Sequence, residues 1–244
     1  MNTGLYAACA GLLARTQALD LAANNLANVN TNGYKAQVPS FSSLVAGSGN
    51  LQNAAFQSAS EFGVLSQSRL DAQQGPLDRT GNDLDLALQG GGYFVLQSPQ
   101  GGRLYTRNGA FHVNARGELA AADGSLVLGE QGPILLPPGK VAISTDGTIS
   151  VDGALTGQVL VADFAPGTDL TPQGAAMFSA PVGSERPAKD VNVAQGTLEG
   201  SNVNPVSAAV GLVTLQRNMG LLQQALTSFH SEFNRIAAQE LSRI

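Results

Sequence analysis

The chain has little of what catalysis and membrane insertion are usually built from. It holds one cysteine, two histidines and no tryptophan in 244 residues, and 13% of it is charged, against ~25% for ordinary soluble chains. A lone Cys9 excludes an intrachain disulfide framework and a cysteine-cluster metal site. His112 and His230 stand in no HExxH pattern, and neither GxSxG nor a Walker pattern occurs. No apolar run approaches the ~20 residues of a membrane helix, so the chain reads as not membrane-spanning. A net charge of −5 argues against nucleic acid or an anionic membrane as the main partner. The N-terminal "MNTGLYAACAGLLAR" has no basic residue ahead of its apolar positions, so no Sec signal is expected. Composition alone points to the cytoplasm.

The few charges are unevenly spread. Residues 1–68 carry only Arg15, Asp20, Lys35 and Glu61, and 191–244 are similarly sparse, while 69–190 hold most of the rest. A free surface is kept soluble by charge, so charge-poor ends point to burial against a partner, disorder in the free chain, or both. Both ends are also patterned. Leu5, Cys9, Leu12, Thr16, Leu19, Ala23 and Leu26 step by four and three, a heptad seam on one helix. Asn204-Pro205 reads as an N-cap with proline at the first helical position. Beyond it, Leu212, Leu215, Met219, Leu222, Leu226, Phe229, Phe233 and Ile236 continue the same steps over about 36 Å. Burying these eight gains on the order of 12–24 kcal/mol gross, so something covers them. One cover is the other terminal helix, in a coiled-coil-like pair; the other is the core of an ordinary globular domain. The low charge on the remaining faces (Gln216, Asn218, Gln223, Gln224) favours burial on more than one side.

Between the helices the period changes to two. Segments 84–97, 103–106, 110–113, 140–144, 148–151 and 157–164 read as strands. Asn108-Gly109, Arg116-Gly117, Asp123-Gly124, Asp146-Gly147 and Asp152-Gly153 punctuate them, and Asn-Gly and Asp-Gly suit tight hairpins. The fold class is therefore α+β: terminal helices from 1–35 and 198–244, an extended connector over 36–79 with little regular structure, and an antiparallel β-rich domain over 80–197. Gly90-Gly91-Gly92 leads into a strand, not the helix a phosphate cradle needs, and reads as a bulge or tight strand entry. Asp83 and Asp85 could serve a glycosidase as a carboxylate pair, but read better as solvated turn residues. Nothing points to a cofactor or a metal.

The stretch "ANNLANVNTNGYK" (23–35) holds five asparagines at the exit of the first helix. Asn28, Asn30 and Asn32-Gly33 suit the helix stop, since asparagine caps carbonyls and tolerates the left-handed region. Asn24 and Asn25 sit in the helix, where asparagine is a poor former. Amides pair without the desolvation cost of charge and so suit a repeating interface; a turn-rich helix exit without a partner is the plainer alternative.

These residues resemble a known family. "NNLANVNTNGYK" (24–35) is similar to the N-terminal signature of the bacterial flagellar axial proteins, which include rod, hook and hook-associated proteins. "GPLDRTGNDLDLALQGGGYFVLQ" (75–97), "LYTRNGAFHVNARGELAAADGSLVLG" (104–129), "VAISTDGTIS" (141–150) and "LEGSNVNPV" (198–206) resemble the later blocks of its rod and hook branch, in family order. "YTRNGAF", the short central domain and "EGSNVNPV" resemble the proximal-rod member most. Gly91-Gly92-Tyr93 and Ala120-Ala121 depart from the usual pattern. The resemblance implies a non-enzymatic subunit that leaves through the flagellar type III export apparatus, polymerises helically with itself and other rod subunits, and transmits torque across the periplasm. In such a subunit the seams, Leu5, Leu12, Leu19 and Leu26 on one helix and Leu212 to Ile236 on the other, are expected to pack within and between subunits, with Asn24, Asn25, Asn28 and Asn32 at the interface. The alternatives are a distal-rod or hook-like subunit, an exported cell-wall enzyme using Asp83 and Asp85, and a cytoplasmic export adaptor.

Overall fold

A computed structural model describes residues 2–42, 64–174, 176–188 and 191–241. The chain divides into two compact units, one of Met1–Leu26, Gln37–Arg69 and Asn204–Ile244, the other of Ala27–Ala36 and Leu70–Val203.

The helical unit holds helix α1, Asn2–Ala27, and helix α2, Pro205–Leu241. The amide oxygen of Asn204 accepts from the Val206 and Ser207 N–H groups at 3.0 Å each, and Pro205 opens the first turn. The N-cap and proline read from the sequence therefore start α2 as expected. Where the sequence suggests an irregular connector, Gln37–Ser42 and Val64–Leu70 form strands that pair with each other. Residues 43–63 lie outside the described residues.

The β unit is antiparallel throughout its registers. The strand Tyr93–Gln97 lies at the centre of its largest sheet, flanked by Arg103–Thr106, Leu126–Gly129 and Val161–Phe164. A three-stranded sheet of Val141–Ile143, Thr148–Val151 and Ala154–Gln158 stands beside it. Its second turn is the Asp152-Gly153 pair, with φ of 50° and 85°, joining Val151 directly to its partner Ala154. Two positive φ values are what a two-residue hairpin needs.

Two features depart from the sequence reading. The single strand expected over 84–97 is two, Leu86–Gln89 and Tyr93–Gln97, because Gly90 and Gly92 take φ of 108° and 96° and turn the chain between them. Asn108-Gly109 is not a hairpin. The Asn108 side chain accepts from the Ala110 N–H at 3.1 Å, and the Gly109 carbonyl accepts from the Leu86 N–H at 3.0 Å.

Inward positions of the strands form one large apolar cluster, with Leu86, Leu88, Phe94, Leu96, Val127 and Ile149 fully buried. A second gathers Tyr93, Val95, Tyr105 and Phe178 on the other face of the central strand. Phe94 meets Phe111 edge-on, ring centroids 5.2 Å apart. Phe94→Ala should cost roughly 3–5 kcal/mol through lost burial and the cavity left, read from the urea midpoint.

Candidate functional site

The most unusual feature of the β unit is ionic and buried. Glu199 is 0% exposed, Lys35 1% and Arg107 3%. The Lys35 ammonium donates to Glu199 Oε1 at 2.7 Å, and the Arg107 guanidinium to Oε2 at 3.0 Å. The Gly75 N–H adds a third bond to Oε1, also at 3.0 Å. Lys35 further donates to the Gln73 carbonyl at 2.6 Å, and Arg107 to the Gly90 carbonyl at 2.7 Å. The guanidinium also lies 5.4 Å from the centre of the Tyr93 ring, a favourable cation–π distance. Arg107 Nε is the one buried side-chain nitrogen or oxygen without a partner among the described residues. Burial pulls the Lys35 ammonium below its ordinary pKa, against the pull of Glu199 in the other direction.

The local chain explains how the three ions meet. Past α1, Gly33 turns at φ 69° and packs so tightly that a Cβ there would collide with the backbone of Asn108. Its N–H donates to the Glu199 carbonyl at 2.7 Å, which delivers Lys35 to the Glu199 side chain. Asn202 fastens the same bundle: it accepts from the Ala36 N–H at 2.7 Å and donates to the carbonyls of Asp71 and Gln73 at 3.1 Å each. Residues 27–36 thus belong with the β unit, because backbone and ionic bonds hold them there.

The expected interface residues fall as follows. In the helical unit, the Asn25 amide exchanges two bonds with Gln37, donating to its carbonyl at 2.8 Å and accepting from its N–H at 2.9 Å; it matches a backbone edge within its own chain. Asn28 accepts from the Thr31 hydroxyl, Asn24 is exposed, and Asn32 is half-buried. Leu12, Leu19 and Leu26 are half-buried, whereas Ala18, on the opposite face of α1, is buried. A cavity of about 560 Å³ lies against that face, lined by Gly11, Ala14, Ala18, Ala22 and Leu215 among others. On α2, Leu212, Leu215, Met219 and Leu226 are half-buried and Leu222 is exposed. Val206, Val210, Val213 and Leu221, away from that seam, are 50–71% exposed. Leu5, Phe229, Phe233 and Ile236 lie on the helices, and their side chains are outside the described residues.

The carboxylate pair is corrected. Asp83 is exposed, but Asp85 is buried rather than solvated: Thr80 Oγ1 donates to it at 2.6 Å and Asn82 Nδ2 at 3.1 Å. Among the described residues no group of three His, Cys, Asp or Glu is placed to hold a metal ion. None of their helices is long and apolar enough to cross a membrane.

Three family models match in chain order: flagella basal body rod protein over residues 5–35, flagellar hook protein FlgE/F/G D1 domain over 87–151, and flagellar basal body rod FlgEFG protein C-terminal over 194–230. The flagellar basal-body rod protein FlgF of Mesorhizobium japonicum is 34% identical over 89% of this chain and 89% of its own. The chain belongs to the flagellar basal-body rod protein family. FlgG of Agrobacterium fabrum is 33% identical over 92% of this chain and 94% of its own. FlgF of Caulobacter vibrioides is 29% identical over the full length of both. Each of the three matched rod-family segments contributes one ion of the buried triad: Lys35, Arg107 and Glu199.

The sequence reading missed this triad, although a signal was present. Lys35 is the only charge between Asp20 and Glu61, and Glu199 the only one between Asp190 and Arg217. Isolation of this kind is a signal but not a rule, since Arg217, the only charge between Glu199 and Glu232, is exposed.

Glu199→Gln leaves two cations buried without their anion, and should cost roughly 3–5 kcal/mol, measured by urea unfolding. A pH effect follows from the tyrosines. Burial raises Tyr34 and Tyr93 above 10.0 in the fold, Tyr93 despite Arg107, so the unfolded chain loses those protons first. Their contribution is complete below about pH 10 and is lost as pH rises through the folded values. The Tyr34→Phe, Tyr93→Phe double variant should therefore lose less stability than the parent between about pH 9 and 11, read from urea midpoints.

Proposed function

We propose that this chain is a structural, non-enzymatic subunit of the flagellar basal-body rod that polymerises through α1 and α2. The observation that carries this is the two-faced apolar character of α2. One face carries Leu212, Leu215, Met219, Leu222 and Leu226; the other exposes Val206, Val210, Val213 and Leu221. A helix of 37 residues with apolar side chains on opposite faces is served by more than one neighbour. Interfaces between unlike surfaces that do not close into a ring propagate a helical filament, and a filament anchored in the motor transmits torque across the periplasm. Phe229, Phe233 and Ile236 extend the seam towards the C-terminal end of α2, and Leu5 extends that of α1. The N-terminal asparagines, Asn24 and Asn28 foremost, supply uncharged contacts at the subunit boundary. Export through the flagellar type III apparatus accounts for a periplasmic destination.

The sequence blocks favour the proximal-rod member. Nearly equal identities to FlgF and FlgG relatives, 34% and 33%, support a distal-rod subunit as the second reading. Copy number per basal body separates the two, because the family resemblance implies few copies for the proximal rod and more for the distal.

Leu222→Asp places a charge where the seam meets a neighbour. It should leave the β unit folded, by circular dichroism, while abolishing swimming and incorporation into basal bodies. Wild-type motility with this variant would remove the seam from the account.

A further inference from the structure

The two chain ends of the β unit are attached to it differently from the way the unit holds itself together. All the buried members of both apolar clusters lie between Leu86 and Val193. Segments 27–36, 70–79 and 197–203 add little to them: Leu70 packs at the margin of one cluster, and Tyr34 is buried apart from both. What holds these straps is polar. Glu199 binds Lys35 and Gly75, Asn202 binds Ala36, Asp71 and Gln73, and Leu77–Arg79 pairs with Thr197–Glu199. Arg107, rooted on the Gly90 carbonyl, is the ionic grip of the core on the straps.

We propose that the straps and the β core open separately, and that the Lys35–Glu199–Arg107 triad is the latch between them. Apolar contacts weaken gradually as they are removed, whereas a buried ionic cluster fails as a whole when its shared anion is lost, because both cations are then left uncompensated. The ions lie far apart in sequence, 164 residues between Lys35 and Glu199 and 92 between Arg107 and Glu199. Neither strap therefore completes the latch alone. Opening frees 27–36 and 197–203 together, and with them the segments leading to α1 and α2, while the strands from Leu86 to Val193 stay closed. The latch concerns this chain's own closure and stands whatever the chain assembles with.

Hydrogen exchange followed by mass spectrometry on the full chain tests it. In Glu199→Gln, peptides covering 27–36, 70–76 and 197–203 should exchange on the order of 100-fold faster, while those covering 93–97, 126–129 and 148–151 change by less than about twofold. Lys35→Met leaves Glu199 with Arg107 and Gly75, and should speed the same three strap peptides together by a smaller factor. Core peptides that accelerate in step with the straps would show a single cooperative unit and overturn the proposal. So would one strap opening without the other, or a Glu199→Gln chain with no protected core.

Discussion

The closure of the β unit depends on one carboxylate. Glu199 has no exposed surface and would be prohibitively costly to bury alone. Two cations and a backbone N–H offset that cost, but only when three distant stretches of chain reach the same point. Gly33 exists to let one stretch approach, since no side chain fits against Asn108. Asn202 then fastens the backbone of the strap that leads from α1 to the strap that leads into α2. The triad carries an excess positive charge, and the face of the Tyr93 ring receives part of it.

This gives the chain a division of labour. Apolar burial between Leu86 and Val193 makes the β core. Ions and amides, which demand definite geometry, fix where both chain ends leave it. The helices are apolar on more than one face and carry little charge, a combination suited to surfaces covered by neighbours. The same contrast explains why the three family-matched segments are spread along the chain yet converge on one triad.

Local chemistry was legible in the sequence wherever a short motif determines the outcome. Asp152-Gly153 forms its hairpin because only its own two dihedrals are involved, and Asn204-Pro205 starts α2 because a cap acts within one turn. Motifs failed where a distant partner decides. Asn108-Gly109 looks like a hairpin, but the Gly109 carbonyl is committed to Leu86. Asp85 looks like a turn carboxylate, but Thr80 and Asn82 bury it. Asn25 pairs with the backbone of Gln37, twelve residues on, a partner that no short motif names. The connector over 36–79 reads as irregular because Gln37–Ser42 and Val64–Leu70 carry serine and glutamine among few apolar positions, and these two strands pair with each other rather than with the main sheet. Lys35 and Glu199 find each other only through the fold, and their isolation among uncharged residues was the one trace of it in the sequence.

The most direct test asks where the protein works and what holds it there. Quantitative mass spectrometry of purified hook–basal bodies, from the parent strain and from one whose copy lacks residues 205–241, measures both. The intact protein should be a stoichiometric component and the shortened one absent. Basal bodies that contain no intact protein, or that retain the shortened one in full amount, would contradict this.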